Sequence, residues 1–246
     1  MTFNLKDISD DKVQDLVREA EFKSGKQIIS LISHEMRTPL SIISSNVQLL
    51  KSFRFNLDEK MVNDTFLLCE EAISSLTDFI ENVYFLNTAF KGEVKARYSP
   101  VDLNLFIDEV VNKAADSEFN RSRIKVKKEI LMDPFFTDRI LLMRCLDNLL
   151  VNALNFSSED IQLEVLSREN ELVITIEDQG IGIPGEEKEL VFEPFKRCSN
   201  VKMISGCGIG LPIVKICVGL LGGSIDFTSK LNQGTEFIIK IRNHEC

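Results

Sequence analysis

Apolar residues follow two different rhythms along this 246-residue chain, and the change between them divides it. Up to about residue 92 the rhythm is helical. Met36, Leu40, Ile43, Val47 and Leu50 recur at spacings of 4, 3, 4 and 3. After an interruption near residues 52–58, Val62, Phe66, Cys69, Ile73, Leu76, Ile80 and Val83 repeat the alternation. A period of about 3.5 residues marks the seam of a coiled coil or four-helix bundle. It predicts a hairpin of two long helices over residues 25–92, preceded by an acidic helical lead-in over 1–24. Such helices leave an apolar stripe on the flank of the pair, which a second copy would bury by completing a four-helix homodimer. A monomeric hairpin docked on the rest of the chain is the alternative. Pro39 interrupts the first helix, but the stripe continues on both sides of it, which predicts a kink just after His34 rather than an end.

Beyond Lys91-Gly92-Glu93 the texture changes. Residues 93–100, closing on Ser99-Pro100, read as a linker or hinge. The remainder, 101–246, alternates with period two in several short runs: Ile161, Leu163 and Val165; Leu172, Ile174 and Ile176; Phe237, Ile239 and Ile241. Strands are predicted near 123–130, 160–166, 171–177, 224–228 and 235–242, with helices near 103–116, 137–156 and 208–221. Strands with one apolar face suit a mixed or antiparallel sheet covered by helices on one side, an α/β sandwich.

Charge and composition narrow the function. Lys and Arg number 29 against 38 Asp and Glu, a net charge of −9, which argues against nucleic acid as a partner. The six cysteines form no CxxC pair and read as free thiols of a reducing cytosol. Nothing resembles a signal peptide or a span for membrane insertion, so the expected location is cytoplasmic, as a soluble protein or the core of a longer sensor. With only His34 and His244 present, multi-histidine metal sites are excluded and His34 stands out.

Four segments carry candidate chemistry. In Ser33-His34-Glu35-Met36-Arg37-Thr38-Pro39-Leu40, His34 points off the seam, and Glu35 could accept its Nδ1 proton and sharpen Nε2 as a nucleophile. Thr38 lies one turn on, over the same face. An ordinary surface His beside a surface Glu is the plainer interpretation. Asn148 and Asn152 stand four apart on a half-buried helix face, where amide oxygens suit a hard divalent cation and local hydrogen bonds are the alternative. Asp178-Gln179-Gly180-Ile181-Gly182-Ile183-Pro184 follows a strand, with Asp178 placed to accept from an exocyclic amine; a plain turn would look similar. Gly206-Cys207-Gly208-Ile209-Gly210-Leu211-Pro212 feeds a helix, which is the makings of a phosphate platform. Its GxGxG spacing matches neither the dinucleotide fingerprint nor a Walker A loop.

In this order the segments resemble the motifs of bacterial sensor histidine kinases, over roughly residues 25–243. Ser33–Leu40 is similar to the phospho-acceptor box, Asn148–Asn152 to the asparagine box, and Asp178–Pro184 to the first glycine box. Phe192-Glu193-Pro194-Phe195-Lys196-Arg197 is similar to the phenylalanine box, Gly206–Leu211 to the second glycine box, and Gly234-Thr235-Glu236-Phe237 to the late Gly-Thr-x-Phe element.

The resemblance implies a dimerisation and histidine-phosphotransfer hairpin followed by a Bergerat-type (GHKL) ATP-binding sandwich. It implies that His34 accepts the γ-phosphoryl group of ATP with Glu35 as base, and passes it to an aspartate of a response-regulator receiver domain. Thr38 falls where relatives that also dephosphorylate their partner carry Thr or Asn. Asn152 would bind Mg²⁺ with Asn148 beside it, and Asp178 would read adenine with support from Thr235. Gly180 and Gly182 would shape that pocket, with Phe195 among the nucleotide contacts. Gly206, Gly208 and Gly210 would hinge the lid and present N–H groups to the phosphates, with Leu211 also at the nucleotide; the lid between Phe195 and Gly206 is short and would be mobile without nucleotide. One departure stands out: Asn155 occupies a place where relatives often carry Lys or Arg. Either Lys196, Arg197 or Lys202 compensates, or nucleotide binding is weaker. That departure keeps open a non-catalytic nucleotide-sensing dimeric scaffold. A related ATPase of the wider Bergerat group is a third possibility, one the intact His34 box speaks against.

Overall fold

The computed structural model describes residues 10–53, 58–115, 117–168, 170–201 and 206–244, side chains at 10–27 and 118 excepted. Residues 1–9 of the lead-in, part of the interhelical turn, Lys202 and most of the lid tip lie outside the described residues. Contacts divide the chain into two compact units that meet between Glu81 and Asn82.

The first unit is built from α1, Asp10–Phe53, and most of α2, Glu59–Phe90. Helix α1 absorbs the later part of the lead-in and runs through Pro39 without ending, its Pro ring buried. Helix α2 starts at a cap, where the Asp58 carboxylate accepts the Met61 N–H at 2.7 Å and Glu59 complements the helix dipole. Thr65, Cys69 and Ala72 form its buried face. Of the predicted seam, Phe66, Ile73 and Ile80 remain 53, 52 and 49% exposed, and Leu40 and Val47 of α1 49 and 53%. The 3.5-residue stripe therefore splits into a covered face and an uncovered one within a single chain.

The second unit carries a five-stranded sheet in the order β2-β4-β5-β7-β6. These strands are β2, Ile124–Ile130; β4, Ile161–Arg168; β5, Glu171–Asp178; β6, Ser224–Lys230; and β7, Gly234–Arg242. Strands β2 and β4 pair in parallel and the remaining neighbours antiparallel, which makes the sheet mixed, as the alternation predicted. Every second side chain of β4 and β5 is buried, beneath helices α3, Leu103–Ala114, α5, Arg139–Phe156, and α6, Gly210–Leu220. Phe106, Leu142, Leu146, Leu149, Ile161 and Ile174 are among the largest fully buried side chains of this core.

Three small features escape the periodicity. A six-residue helix α4, Glu118–Arg123, precedes β2. Strands β1, Ser99–Val101, and β3, Phe135–Thr137, pair antiparallel at the edge of the unit. Within the segment 93–100 expected as a linker, Ser99 and Pro100 lie in a strand, and the Arg97 N–H donates to Asp138 Oδ2 at 2.7 Å. His244, which the sequence leaves without a role, helps hold this seam. Its ring stacks on Tyr98 with centroids 4.1 Å apart, and its Nε2 lies 3.1 Å from the Leu221 carbonyl oxygen. Beside it Asn243 accepts the Phe136 N–H at 2.9 Å.

Candidate active site

His34 stands on α1 with its side chain 71% exposed, and Glu35 Oε1 lies 3.5 Å from Nδ1. That separation is longer than an ordinary hydrogen bond, so the carboxylate lies near Nδ1 without bonding to it. Thr38 is exposed one turn further along the same helix. The hairpin thus presents the imidazole, the carboxylate and the hydroxyl together on its surface.

The remaining predicted residues meet in the second unit, around a cavity of about 300 Å³. Asn148, Asn152, Asp178, Gly182, Gly206, Gly208, Gly210, Leu211 and Thr235 all line it. Three structural reasons bring them together.

First, α5 presents the asparagines. Asn148 donates its amide N–H to the Arg144 carbonyl at 2.7 Å, which leaves Oδ1 free to turn elsewhere. A Cβ at Gly210 would lie 3.0 Å from Asn148 Oδ1 and 3.6 and 3.8 Å from the two amide atoms of Asn152. Both amides therefore face the first residue of α6, where unsatisfied N–H groups and the helix dipole favour anions. The same α5 turn is anchored on the other side: Arg144 donates to Asn82 Oδ1 at 2.6 Å, and its guanidinium sits 4.7 Å from the Phe85 ring centroid.

Second, the β5–β7 register sets Asp178 opposite Thr235. Asp178 Oδ1 accepts the Gly180 N–H at 2.8 Å. Burial raises the Asp178 carboxyl above its ordinary range; N–H donors from Gly180 and Thr235 pull it down less strongly, and neighbouring Glu177 pushes it up further. Thr235 Oγ1 lies 2.8 Å from Ser229 Oγ, which also accepts the Ile183 N–H at 2.8 Å. A carboxylate and a hydroxyl thus come from paired positions of neighbouring strands in the cavity lining. Gly182 makes the turn beyond them possible: at φ +62 a side chain would be strained, and its Cβ would lie 2.2 Å from the Lys230 carbonyl oxygen.

Third, the phenylalanine-box loop is joined to the second glycine box. The Phe195 N–H donates to the Gly208 carbonyl oxygen at 3.0 Å. A Cβ on Gly208, at φ +71, would lie 2.3 Å from the Lys196 carbonyl oxygen, so no other residue fits that crossing. Phe195 itself is left-handed, φ 63, a strained conformation for a bulky residue that the loop crossing holds in place.

Two of the predicted residues lie off the cavity lining. Phe195 does not line the cavity; its backbone N–H ties the two loops. Gly180 does not line it either, and instead supplies the N–H that orients Asp178 and passes close to the Phe156 carbonyl at the end of α5. Asn155 does line the cavity, as do Lys196 and Arg197. Sequence reasoning missed Asn200, which lines the cavity and donates to the Gly182 carbonyl at 2.8 Å. It also missed Cys198 and Cys207 on the same wall. No spacing rule points to them, because the turns that bring them inward are irregular.

The chemistry available is specific. Hard amide oxygens, a helix N-terminus, two cations and a buried carboxylate beside a hydroxyl suit a polyanion attached to an amine-bearing ring.

Comparison with known proteins agrees. Residues 26–88 match the family model of the His Kinase A phospho-acceptor domain, and residues 137–245 that of the histidine kinase-, DNA gyrase B- and HSP90-like ATPase. The histidine-protein kinase ArlS of Staphylococcus aureus is 26% identical over 232 residues, covering 90% of this chain and 49% of ArlS. The chain therefore spans about half the length of the curated relatives it matches. The fold is shared with the histidine kinase AdeS of Acinetobacter baumannii at a TM-score of 0.63 and 22% identity, over 86% of this chain and 98% of that one. It is shared with full-length ShkA, solved in complex with AMPPNP, at 0.61 and 21%, over 90% of this chain and 47% of that one. With one family model on the hairpin and the other on the α/β unit, the chain contains the catalytic core of a sensor histidine kinase.

Proposed function

We propose that this chain is an ATP-dependent protein-histidine kinase that phosphorylates His34 and passes the phosphoryl group to an aspartate of a receiver domain. The observation that carries the reading is the exposed His34 beside half-buried Glu35 on one unit, together with the cavity lined by Asn148, Asn152, Asp178 and Thr235 on the other. In the transfer, His34 Nε2 bonds to the γ-phosphorus of ATP, the bond from that phosphorus to the bridging oxygen breaks, and ADP leaves. Glu35 takes up the Nδ1 proton as the ring becomes a cation. Phosphoryl transfer depends on positioning and charge neutralisation more than on covalent help. Mg²⁺ supplies part of that neutralisation when bound, and the Asn148 and Asn152 amide oxygens, facing Gly210, are the ligands that fit it. Asp178 accepts from the adenine amine, and Thr235 completes that end of the pocket. Gly206, Gly208 and Gly210 present N–H groups to the phosphates.

Dimerisation through the hairpin explains the uncovered stripe of Phe66, Ile73 and Ile80. Thr38 is placed to orient water for dephosphorylation of the receiver. Delivery of the nucleotide to His34 requires bending between the domains, and residues 91–96, before the Arg97 anchor, are the segment that bends. Among the described residues no helix is long and apolar enough to cross a membrane.

The test uses the full chain with Mg²⁺ and γ-labelled ATP. Acid-labile, base-stable label is expected on the protein, and His34→Gln abolishes it. Label of that kind persisting in His34→Gln sinks the assignment.

A further inference from the structure

We propose that the Lys196 ammonium binds the terminal phosphates of the nucleotide and supplies the positive charge that Asn155 does not. The inference rests on the nucleotide reading above and adds to it a specific phosphate ligand. A triphosphate keeps net negative charge even with a divalent cation bound, so the cavity needs cations of its own. Among the described residues lining it, those cations are Lys196 and Arg197. Arg197 is already engaged, since its guanidinium donates to the Val201 carbonyl oxygen. Lys196 is exposed and forms no side-chain hydrogen bond or ion pair with a described residue.

Its backbone is fixed beside the phosphate platform. The Lys196 carbonyl presses on Gly208 so closely that a Cβ there would meet it at 2.3 Å, and the preceding N–H, from Phe195, donates to the Gly208 carbonyl at 3.0 Å. Gly208 leads within two residues into the N-terminus of α6, and Gly210 faces Asn148 and Asn152. Lys196 therefore flanks the space between the helix N-terminus and the two amides, where the phosphates would lie. Asn155 lines the same cavity from the end of α5, and a basic side chain there would reach the phosphates from another wall. A lysine suits this duty: it is a compact charge with three donors on a flexible stem, able to follow a phosphate.

Equilibrium binding of ATP, with Mg²⁺, and of adenosine is measured on the full chain. Lys196→Gln is expected to weaken ATP binding by roughly tenfold or more, the size of a charged hydrogen bond, and to leave adenosine binding unchanged. Asn155→Lys added to Lys196→Gln is expected to recover most of the loss. ATP binding unaltered by Lys196→Gln overturns the proposal, as does an equal loss for ATP and adenosine, which would make Lys196 a support of the loop. Failure of the unaltered chain to bind ATP would instead overturn the nucleotide reading beneath it.

Discussion

The two units use isoleucine in opposite ways. In the α/β unit Ile161, Ile174 and Ile239 are fully buried, each enclosed by the sheet and the helices above it. In the hairpin Ile73 and Ile80 have the same side chain and lie on a seam as regular as any in the chain, yet half their surface meets water. A sheet with helices on one face closes its own core. Two helices cannot enclose a stripe that runs round both flanks, so part of it stays exposed in the single chain. The unit with the cavity closes its core within one chain, while the unit with His34 leaves apolar side chains exposed, which the proposed dimer would cover.

The sharpest test of this contrast substitutes the same residue in each unit. Ile174→Ala is expected to destabilise the α/β unit by about 2–5 kcal/mol, the cost of a buried large-to-small change, at any protein concentration in chemical unfolding. Unfolding unchanged by that substitution would break the claim of a self-sufficient core. Ile73→Asp is expected to act on association: sedimentation should show dimer giving way to monomer at micromolar concentration, while the unfolding midpoint of the α/β unit stays in place. A dimer of unchanged strength would place the interface elsewhere.

The smallest effect concerns Asp178, one of the buried charged side chains of the α/β unit. Its carboxyl is raised from the ordinary 3.8, chiefly by burial, so the folded state holds this proton to higher pH than the unfolded one. Stability from this group is therefore lost as pH rises from about 4 through the folded value, and the penalty stays above it. Asp178→Asn has no such titration. Its stability relative to the unaltered chain should rise across that window, while ATP binding is lost. Parallel pH profiles would show that the site does not strain this carboxyl.

The long helices, the alternating strands of the large sheet and the two glycine boxes were legible because each depends on neighbours a few residues away. Local chemistry also picked out His34 with Glu35, and Asn148 with Asn152, each pair sharing one helix. The small β1–β3 seam was not legible: three residues containing a proline carry no periodic signal, and their partners lie far along the chain. His244 looked idle for the same reason, since Tyr98 and Leu221 come to it only through the fold. The backbone of Phe195 was not legible either, because a left-handed φ at phenylalanine cannot be seen in a motif.

The sequence by itself determined the two rhythms, the order of the motifs and which residues could do the chemistry, because spacing along a helix or strand decides which side chains share a face. Only the tertiary structure decided that both asparagine amides face Gly210, that Lys196 is held against Gly208, and that half the hairpin seam is left uncovered. Those are contacts between segments distant in the chain, and they form only when the cores of the two units bring such segments together.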